Sequence, residues 1–353
     1  MPPISLGVVI VTFNAADVIL DCLESLLAAT DVTLQIVIVD NASTDRTAGL
    51  LHDWAVTRHP YVASSDIPFH LLPCAKPVQF ASETDNTTPD HHQITLIEAG
   101  VNGGFAAGVN RGLSCLARKR GIDRFWVLNP DCVVPPGTPA AFARMPVPED
   151  AFALMGGRVL YLDGLDTIQL DGGTINWYTG VTSNINQGLP CATTPKPDPA
   201  NVDFVTGASL VVSRRFYDMA GPMQEDYFLY YEEVDWAMRR GSLPLIYCPE
   251  AIIYHRVGTA IGSPTLARSA SAFSLFFKFR GRIRFLRRFR RFGLPGAYAY
   301  SFAKAVQLLL KGSAAEAWTI VVASLDGPPP KVVRDRLSPA AAAIAFRRGP
   351  TEP

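Results

Sequence analysis

Leu6-Gly7-Val8-Val9-Ile10-Val11-Thr12-Phe13-Asn14 decides the fold. It is a continuous, β-branched apolar run that stops at a polar residue, the pattern of a strand buried on both faces. Residues 15–29 follow with Val18, Ile19, Leu23, Leu26 and Leu27 at helical spacing, and Gln35–Val39 is a second buried run that ends at Asp40. Strand, helix and strand in that order read as a right-handed βαβ unit. The chain is therefore expected to be α/β, with a mostly parallel central sheet flanked by helices.

Further along, Ser43-Thr44-Asp45 is an N-cap cluster for a helix running to about Ala55. Residues 57–92 break the rhythm with Pro, Ser, Asp and Thr, and read as an insertion or mobile loop; its His91-His92 pair invites a metal, but neighbouring residues rarely share a ligand geometry without further partners. Ile94–Glu98 resumes as a strand, Gly103–Gly108 turns into a helix through Leu116, and Phe125–Leu128 is the next strand. Glycines between a strand and a helix let backbone amides approach an anion. The first strand, however, is followed by Thr12-Phe13-Asn14 and not by G-x-G-x-x-G, and no Walker loop occurs. The two commonest phosphate-binding devices are thus absent from the sequence.

Asn129-Pro130-Asp131 puts one carboxylate immediately after the apolar run 125–128. Ligands of open α/β sheets collect outside the carboxyl ends of the strands, where such a carboxylate can grip a hard metal ion carrying phosphates. The same residues also suit a tight turn. A second cluster, 225–239, crowds Glu232, Glu233 and Asp235 among aromatic residues. On a helix, Glu232, Asp235 and Arg239 share one face and Glu233 points about a quarter-turn away. Acids in a first turn complement the helix dipole, whereas apolar surroundings raise a carboxyl pKa towards that of a general base. Finally, the strand-like run from Tyr247 delivers His255 at its end, a candidate second ligand beside Asp131.

Charge is balanced overall but not along the chain: residues 1–255 hold 15 Lys+Arg against 28 Asp+Glu, while 256–353 hold 17 against 4. An acidic body and a basic end of this kind point to a metal-using body and a phosphate- or lipid-seeking extension. The six dispersed cysteines show no C-x-x-C pair and read as reduced thiols of a cytoplasmic protein. The N-terminus reads as a first strand and not as a signal peptide, and no apolar run is long enough to span a membrane. Between 265 and 292 nine Lys+Arg and no acids interleave with seven phenylalanines. This is the pattern of an interfacial helix on a membrane surface. The alternatives are a Phe face packed on the catalytic body, a grip on a diphosphate-linked lipid, or nucleic acid, which the acidic body disfavours. Residues 297–325 read as one more helix or a pair, and 326–353 as a loose tail.

Taken in order, Val-Val-Ile-Val-Thr-Phe-Asn, Ile-Val-Ile-Val-Asp-Asn-Ala-Ser-Thr-Asp, Asn-Gly-Gly-Phe-Ala-Ala-Gly-Val-Asn-Arg-Gly, Leu-Asn-Pro-Asp, Gly207-Ala208, Tyr231–Trp236 and Pro249–His255 form one series. Over about residues 6–290 that series resembles the inverting family-2-type glycosyltransferases of the GT-A fold, in particular their rhamnosyltransferase-like branch. The resemblance implies a catalytic domain over 1–260, a basic aromatic helical extension over 261–325, and a flexible tail over 326–353. It implies that Thr12, Asn14 and Asp40 hold the base and ribose of a nucleoside diphosphate sugar, dTDP- or UDP-linked, with Asn41, Asp45, Gly104 and Asn110 nearby. Asp131 takes the place of the last acid of the family's D-x-D and Asn129 the first, with His255 as a further ligand to Mg2+ or Mn2+. Glu233 matches the acid that deprotonates the acceptor hydroxyl, although the family usually has Asp there, so Asp235 and Glu232 stay open as the base. Trp236 packs beside the acceptor or fills core. The implied enzyme transfers rhamnose to a polysaccharide or lipid-linked acceptor at the inner face of the cell membrane. A non-catalytic sugar-nucleotide or lipid-diphosphate binding protein is the rival reading, and a nucleotidyltransferase the third.

Overall fold

Strands β1 (Ser5–Thr12), β2 (Thr33–Asp40), β3 (Gln93–Glu98) and β4 (Arg124–Leu128) lie side by side in the order β3-β2-β1-β4, all parallel. This computed structural model describes residues 4–56, 61–87, 91–256 and 270–347. Parts of the expected insertion, basic stretch and tail (57–60, 88–90, 265–269 and 348–353) lie outside the described residues. Helices α1 (Ile19–Leu27), α2 (Thr47–Val56) and α3 (Phe105–Ala117) make the crossovers. The βαβ reading of residues 6–40 is what the structure shows, and the physical reason is burial from both sides. Leu6, Val8 and Ile10 pack with Leu23, Leu26 and Trp54 on one face, while Val9 and Val11 pack with Val109, Leu113 and Leu116 on the other. Alternation along the strand thus feeds two cores.

Beyond β4 the sheet changes character. The chain adds β5 (Cys132–Val133), α4 (Thr138–Arg144), β6 (Leu154–Tyr161), β7 (Ile168–Leu170), a separate hairpin of β8 (Gly173–Asn176) and β9 (Val181–Asn184), then β10 (Ser209–Ser213), α5 (Arg214–Ala220), α6 (Glu232–Met238) and β11 (Ile246–His255). The nine-stranded sheet continues β4-β10-β6-β11-β5, with β7 on β6. Strands β6 and β11 are parallel to each other, whereas β10, β5 and β7 each pair antiparallel with their neighbours. The sheet is therefore mixed. Its useful consequence is positional: the ends of β1, β2, β4 and β11 and the start of β10 all meet along one edge.

The C-terminal extension comprises α7 (Ala272–Phe289), α8 (Leu294–Leu310), α9 (Ala314–Ser324), α10 (Lys331–Arg334) and α11 (Pro339–Ala345). The reading of 265–292 as an interfacial helix is corrected here. In α7, Phe273, Phe276, Phe277, Phe279 and Phe285 are buried, and so are Arg280, Arg282 and Arg284. Its phenylalanines surround the helix instead of lining one side, and such a helix belongs in a core. The guanidinium groups are partly satisfied internally, with Arg280 Nε and Arg282 Nη1 left without a hydrogen-bond partner among the described residues. Arg280 donates to the Ala345 carbonyl (2.6 Å) and lies over Phe276 and Phe277, while Arg284 reaches Asp326 (3.1 Å) and the Arg347 carbonyl (3.1 Å). Arginines on the last carbonyls of a helix are favourable partners. They also hold the described part of the tail, which carries the short helices α10 and α11, with Val333, Ala341 and Ala345 buried.

Candidate active site

The loops after β1 and β2 are locked together by short polar side chains. Thr12 Oγ1 donates to Asp40 (2.9 Å), which also accepts from the Ser43 amide (3.1 Å) and hydroxyl (2.5 Å). Asn14, at φ 52°, accepts from the amides of Thr44 (2.7 Å) and Asp45 (3.2 Å). Asp45 in turn caps Thr47; burial pulls its carboxyl up, but the hydrogen bonds from Thr47 and Ala16 hold it below its ordinary range. Asn41 donates to Asn102 (3.1 Å) and to the Gly104 carbonyl (2.9 Å). Thr12, Asp40 and Asn41 are all buried. They brace the floor of the edge, leaving half-buried Asn14 and exposed Asp45 as its accessible groups. Sequence reasoning took Ser43 for a helix cap and not for the partner of Asp40, and gave Asn102 no role, although it directly precedes Gly103-Gly104, a turn signal.

Gly104 opens α3 at φ 91°, and a Cβ there would collide with the Phe228 carbonyl oxygen, which accepts from the Phe105 amide (2.9 Å). Only glycine combines that backbone angle with that approach. Gly104→Ala is expected to lower the unfolding free energy by roughly 1–3 kcal/mol, read by urea denaturation, and to loosen segment 228–231. Asn110, by contrast, does not face the edge. Its amide is spent on Met223 (2.9 and 2.8 Å) and Glu225 (2.8 Å), so it braces α3 against the loop before α6.

At the end of β4, the Asn129 amide donates to the Ala208 carbonyl (2.9 Å) and the Cys132 amide to the Asn129 carbonyl (3.2 Å), closing the turn around Pro130. Asn129 keeps a half-exposed side chain there. The chain then pairs antiparallel with β11, Cys132 opposite His255, and the Arg256 amide donates to the Asp131 carbonyl (2.9 Å). Two distant segments thereby bring His255 Nε2 to 3.1 Å from Asp131 Oδ1. His255 Nδ1 is 2.9 Å from Gln169 Oε1 on β7. That oxygen accepts from Nδ1–H, and Nε2 faces the Asp131 carboxylate, to which a protonated ring donates and beside which a neutral ring can ligate a cation. A carboxylate oxygen and an imidazole nitrogen this close can share a divalent cation. Ligand atoms of Asp131, Cys132 and His255 all lie within 4.8 Å of one another. Oxygen and imidazole suit a hard or borderline divalent ion; the Cys132 thiol, which burial and then Asp131 push well up, is the softer member. Cys132 was missed because a cysteine in a buried strand reads as packing.

Glu233 lies across the turn that ties these groups together. A methyl placed on Gly207 would stand 3.3 Å from the Phe105 ring and 3.9 Å from Glu233 Cβ, while the next residue, Ala208, holds Asn129. The segment leading to Glu233 is strained: Phe228, Tyr230 and Tyr231 have φ of 65°, 66° and 76°. Such angles cost of order 1–3 kcal/mol each and persist where surrounding contacts impose them. Here the Tyr231 hydroxyl donates to the Gly180 carbonyl (2.7 Å), and the Tyr230 hydroxyl meets Ser274 (3.1 Å).

The three acids separate by environment. Asp235 is fully buried and accepts from Tyr227 (3.0 Å), Arg239 (3.0 Å) and Arg288 (2.5 Å), which uses its lone pairs structurally. Glu232 is buried with Oε2 unpartnered among the described residues, and burial followed by repulsion from Glu233 pushes its carboxyl well up. Glu233 is only part-buried. Burial lifts its carboxyl as well, against backbone amides and the Lys278 ammonium, which pull it back. Trp236 is core: fully buried, packed on Phe216 at 5.3 Å, its indole donating to the Gly221 carbonyl (2.9 Å).

Residues 7–67 match the family model described as Glycosyl transferase family 2. The match covers the braced floor from β1 to beyond α2. No curated protein matches the chain. Among solved structures, GalNAc-T7 with UDP, GalNAc and Mn2+ is similar at 14% identity and a TM-score of 0.55, over 86% of this chain and 51% of that one. The chain thus spans about half of GalNAc-T7. The mannosyltransferase PcManGT from Pyrobaculum calidifontis, in complex with GDP-Man and Mn2+, matches at 14% identity and 0.48, over 97% and 81%. S. aureus TarS 1-349 in complex with UDP-GlcNAc matches at 13% and 0.48, over 97% and 88%. At such identities the likeness concerns the fold, which is that of the GT-A glycosyltransferases.

Proposed function

We propose that the chain is a metal-dependent inverting glycosyltransferase that moves a sugar from a nucleoside diphosphate to an acceptor hydroxyl. The observation that carries this reading is the pairing of Asp131 with His255 at 3.1 Å, with Glu233 packed beside Gly207, the neighbour of the Ala208 that holds Asn129. A divalent ion such as Mn2+ or Mg2+, held by Asp131 and His255, would neutralise charge on the departing diphosphate. Asn14 and Asp45 offer the accessible polar groups for the donor's nucleoside over the braced floor. Glu233 takes the proton of the acceptor hydroxyl as its oxygen attacks the anomeric carbon opposite the diphosphate, and the single displacement inverts that centre. Family-2 and GT-A likeness supports the reaction class. Rhamnose on dTDP as donor, and a polysaccharide or lipid-linked saccharide at the inner face of the cell membrane as acceptor, rest on the motif resemblance.

The test is a panel of nucleotide sugars scored for stabilisation against unfolding with and without Mn2+. A ligand at 100 times its Kd adds about 2.7 kcal/mol. Stabilisation by no member of the panel, or the same stabilisation in chelator, would overturn the reading; binding without turnover on any acceptor would leave a non-catalytic binding protein. Gln169 supplies a narrower check. Because it fixes the imidazole of His255, Gln169→Ala is expected to weaken Mn2+ affinity about 10- to 100-fold, measured by calorimetric titration.

A further inference from the structure

Helix α8 is built inside out. Ala297, Ser301 and Ala305 are buried on its protein side, while Phe302, Val306, Leu309 and Leu310 are 68%, 38%, 54% and 84% exposed. These outward positions are spaced i, i+4, i+7 and i+8, one stripe along the helix. Exposed Pro295 and Ala299 continue it towards the helix start, and Phe292, 93% exposed, stands just before. Ordinary surface helices turn their large apolar side inward. A contiguous apolar stripe facing out marks a binding surface.

Charge identifies the partner. Exposed Arg290 and Arg291 stand beside exposed Phe292 at the start of the stripe, and no acid occurs between Phe289 and Ala315. A second copy seated on this stripe would bring the same cations against one another. Anionic headgroups would neutralise them, with apolar side chains entering the acyl boundary and the long basic stems reaching back to the phosphates. No helix among the described residues is long and apolar enough to cross a membrane, so contact of this kind lies along the surface. We propose that α8 docks the protein on an anionic lipid surface. The role expected of the buried helix α7 thus passes to its neighbour. The stripe is remote in sequence from the edge that holds Asp131 and Glu233, and the proposal does not depend on the transfer reading.

Co-sedimentation with vesicles of phosphatidylglycerol and phosphatidylcholine, against phosphatidylcholine alone, tests it. The full chain is expected to bind the anionic vesicles preferentially, and less so in high salt. Phe302→Asp and Leu309→Asp are each expected to cut the bound fraction by roughly tenfold or more, with an unchanged melting curve because both sites are exposed. Arg290→Gln with Arg291→Gln should erode the preference for phosphatidylglycerol. Failure of the unaltered chain to bind anionic vesicles, or undiminished binding by both aspartate variants, would overturn the proposal. So would a concentration-dependent dimer, seen by light scattering, that either variant dissolves.

Discussion

Asp131→Ala is expected to abolish the Mn2+-linked stabilisation by a nucleotide sugar. Among the described residues Asp131 is the only carboxylate in the cluster with Cys132 and His255. Its removal leaves an imidazole and a buried thiol that stays protonated, a poor set for a hard cation. Losing a direct ligand should cost at least what losing a supporting hydrogen bond does, so a weakening of about 100-fold is a modest expectation. At a ligand concentration that gave about 2.7 kcal/mol, the variant would retain about 0.4 kcal/mol. The fold should survive, because truncation of the side chain leaves in place the Asp131 carbonyl that accepts from the Arg256 amide and the pairing of β5 with β11. Retention of the full metal-dependent shift would remove Asp131 from the site.

What the sequence made legible follows from where burial is decided locally. The centres of β1, β2 and β4 (Val8–Val11, Ile36–Val39 and Phe125–Leu128) are apolar because both sheet faces are covered, so these runs located the strands. The mixed directions beyond β4 were not readable, since β10 enters beside β4 from more than seventy residues away and nothing in its own five residues encodes that neighbour. Helix α7 misled for a related reason: phenylalanine and arginine in alternation look interfacial until carbonyls and carboxylates from α11, Asp326 and Asp235 are known to receive the guanidinium groups. At the site, Asp131 and His255 were legible as strand ends. Asn110 and Trp236 were drawn in by their motifs, yet their partners in the loop 221–225 turn them to structural tasks. The supporting Gln169, on a three-residue strand, gave no signal of its own.

Glu233→Gln should spare donor binding and lower transfer by roughly 100- to 10,000-fold, the usual contribution of a positioned general base. The prediction has a pH signature. A base must be deprotonated to act, and burial lifts the Glu233 carboxyl above its ordinary range, so transfer should fall as pH drops through that raised pKa. The acid limb should therefore lie higher than an exposed glutamate would place it, and it should vanish in the glutamine variant. Asp235→Asn is the contrasting case. It leaves Arg239 and Arg288 facing a neutral amide in a buried setting, and is expected to cost about 3–5 kcal/mol of stability while the folded fraction keeps its pH profile. Measured together, the two variants separate chemistry from scaffolding: a Glu233→Gln enzyme with normal turnover and an intact acid limb would transfer the role of base to Glu232, whose buried, unpartnered oxygen is the remaining carboxylate on the same helix turn.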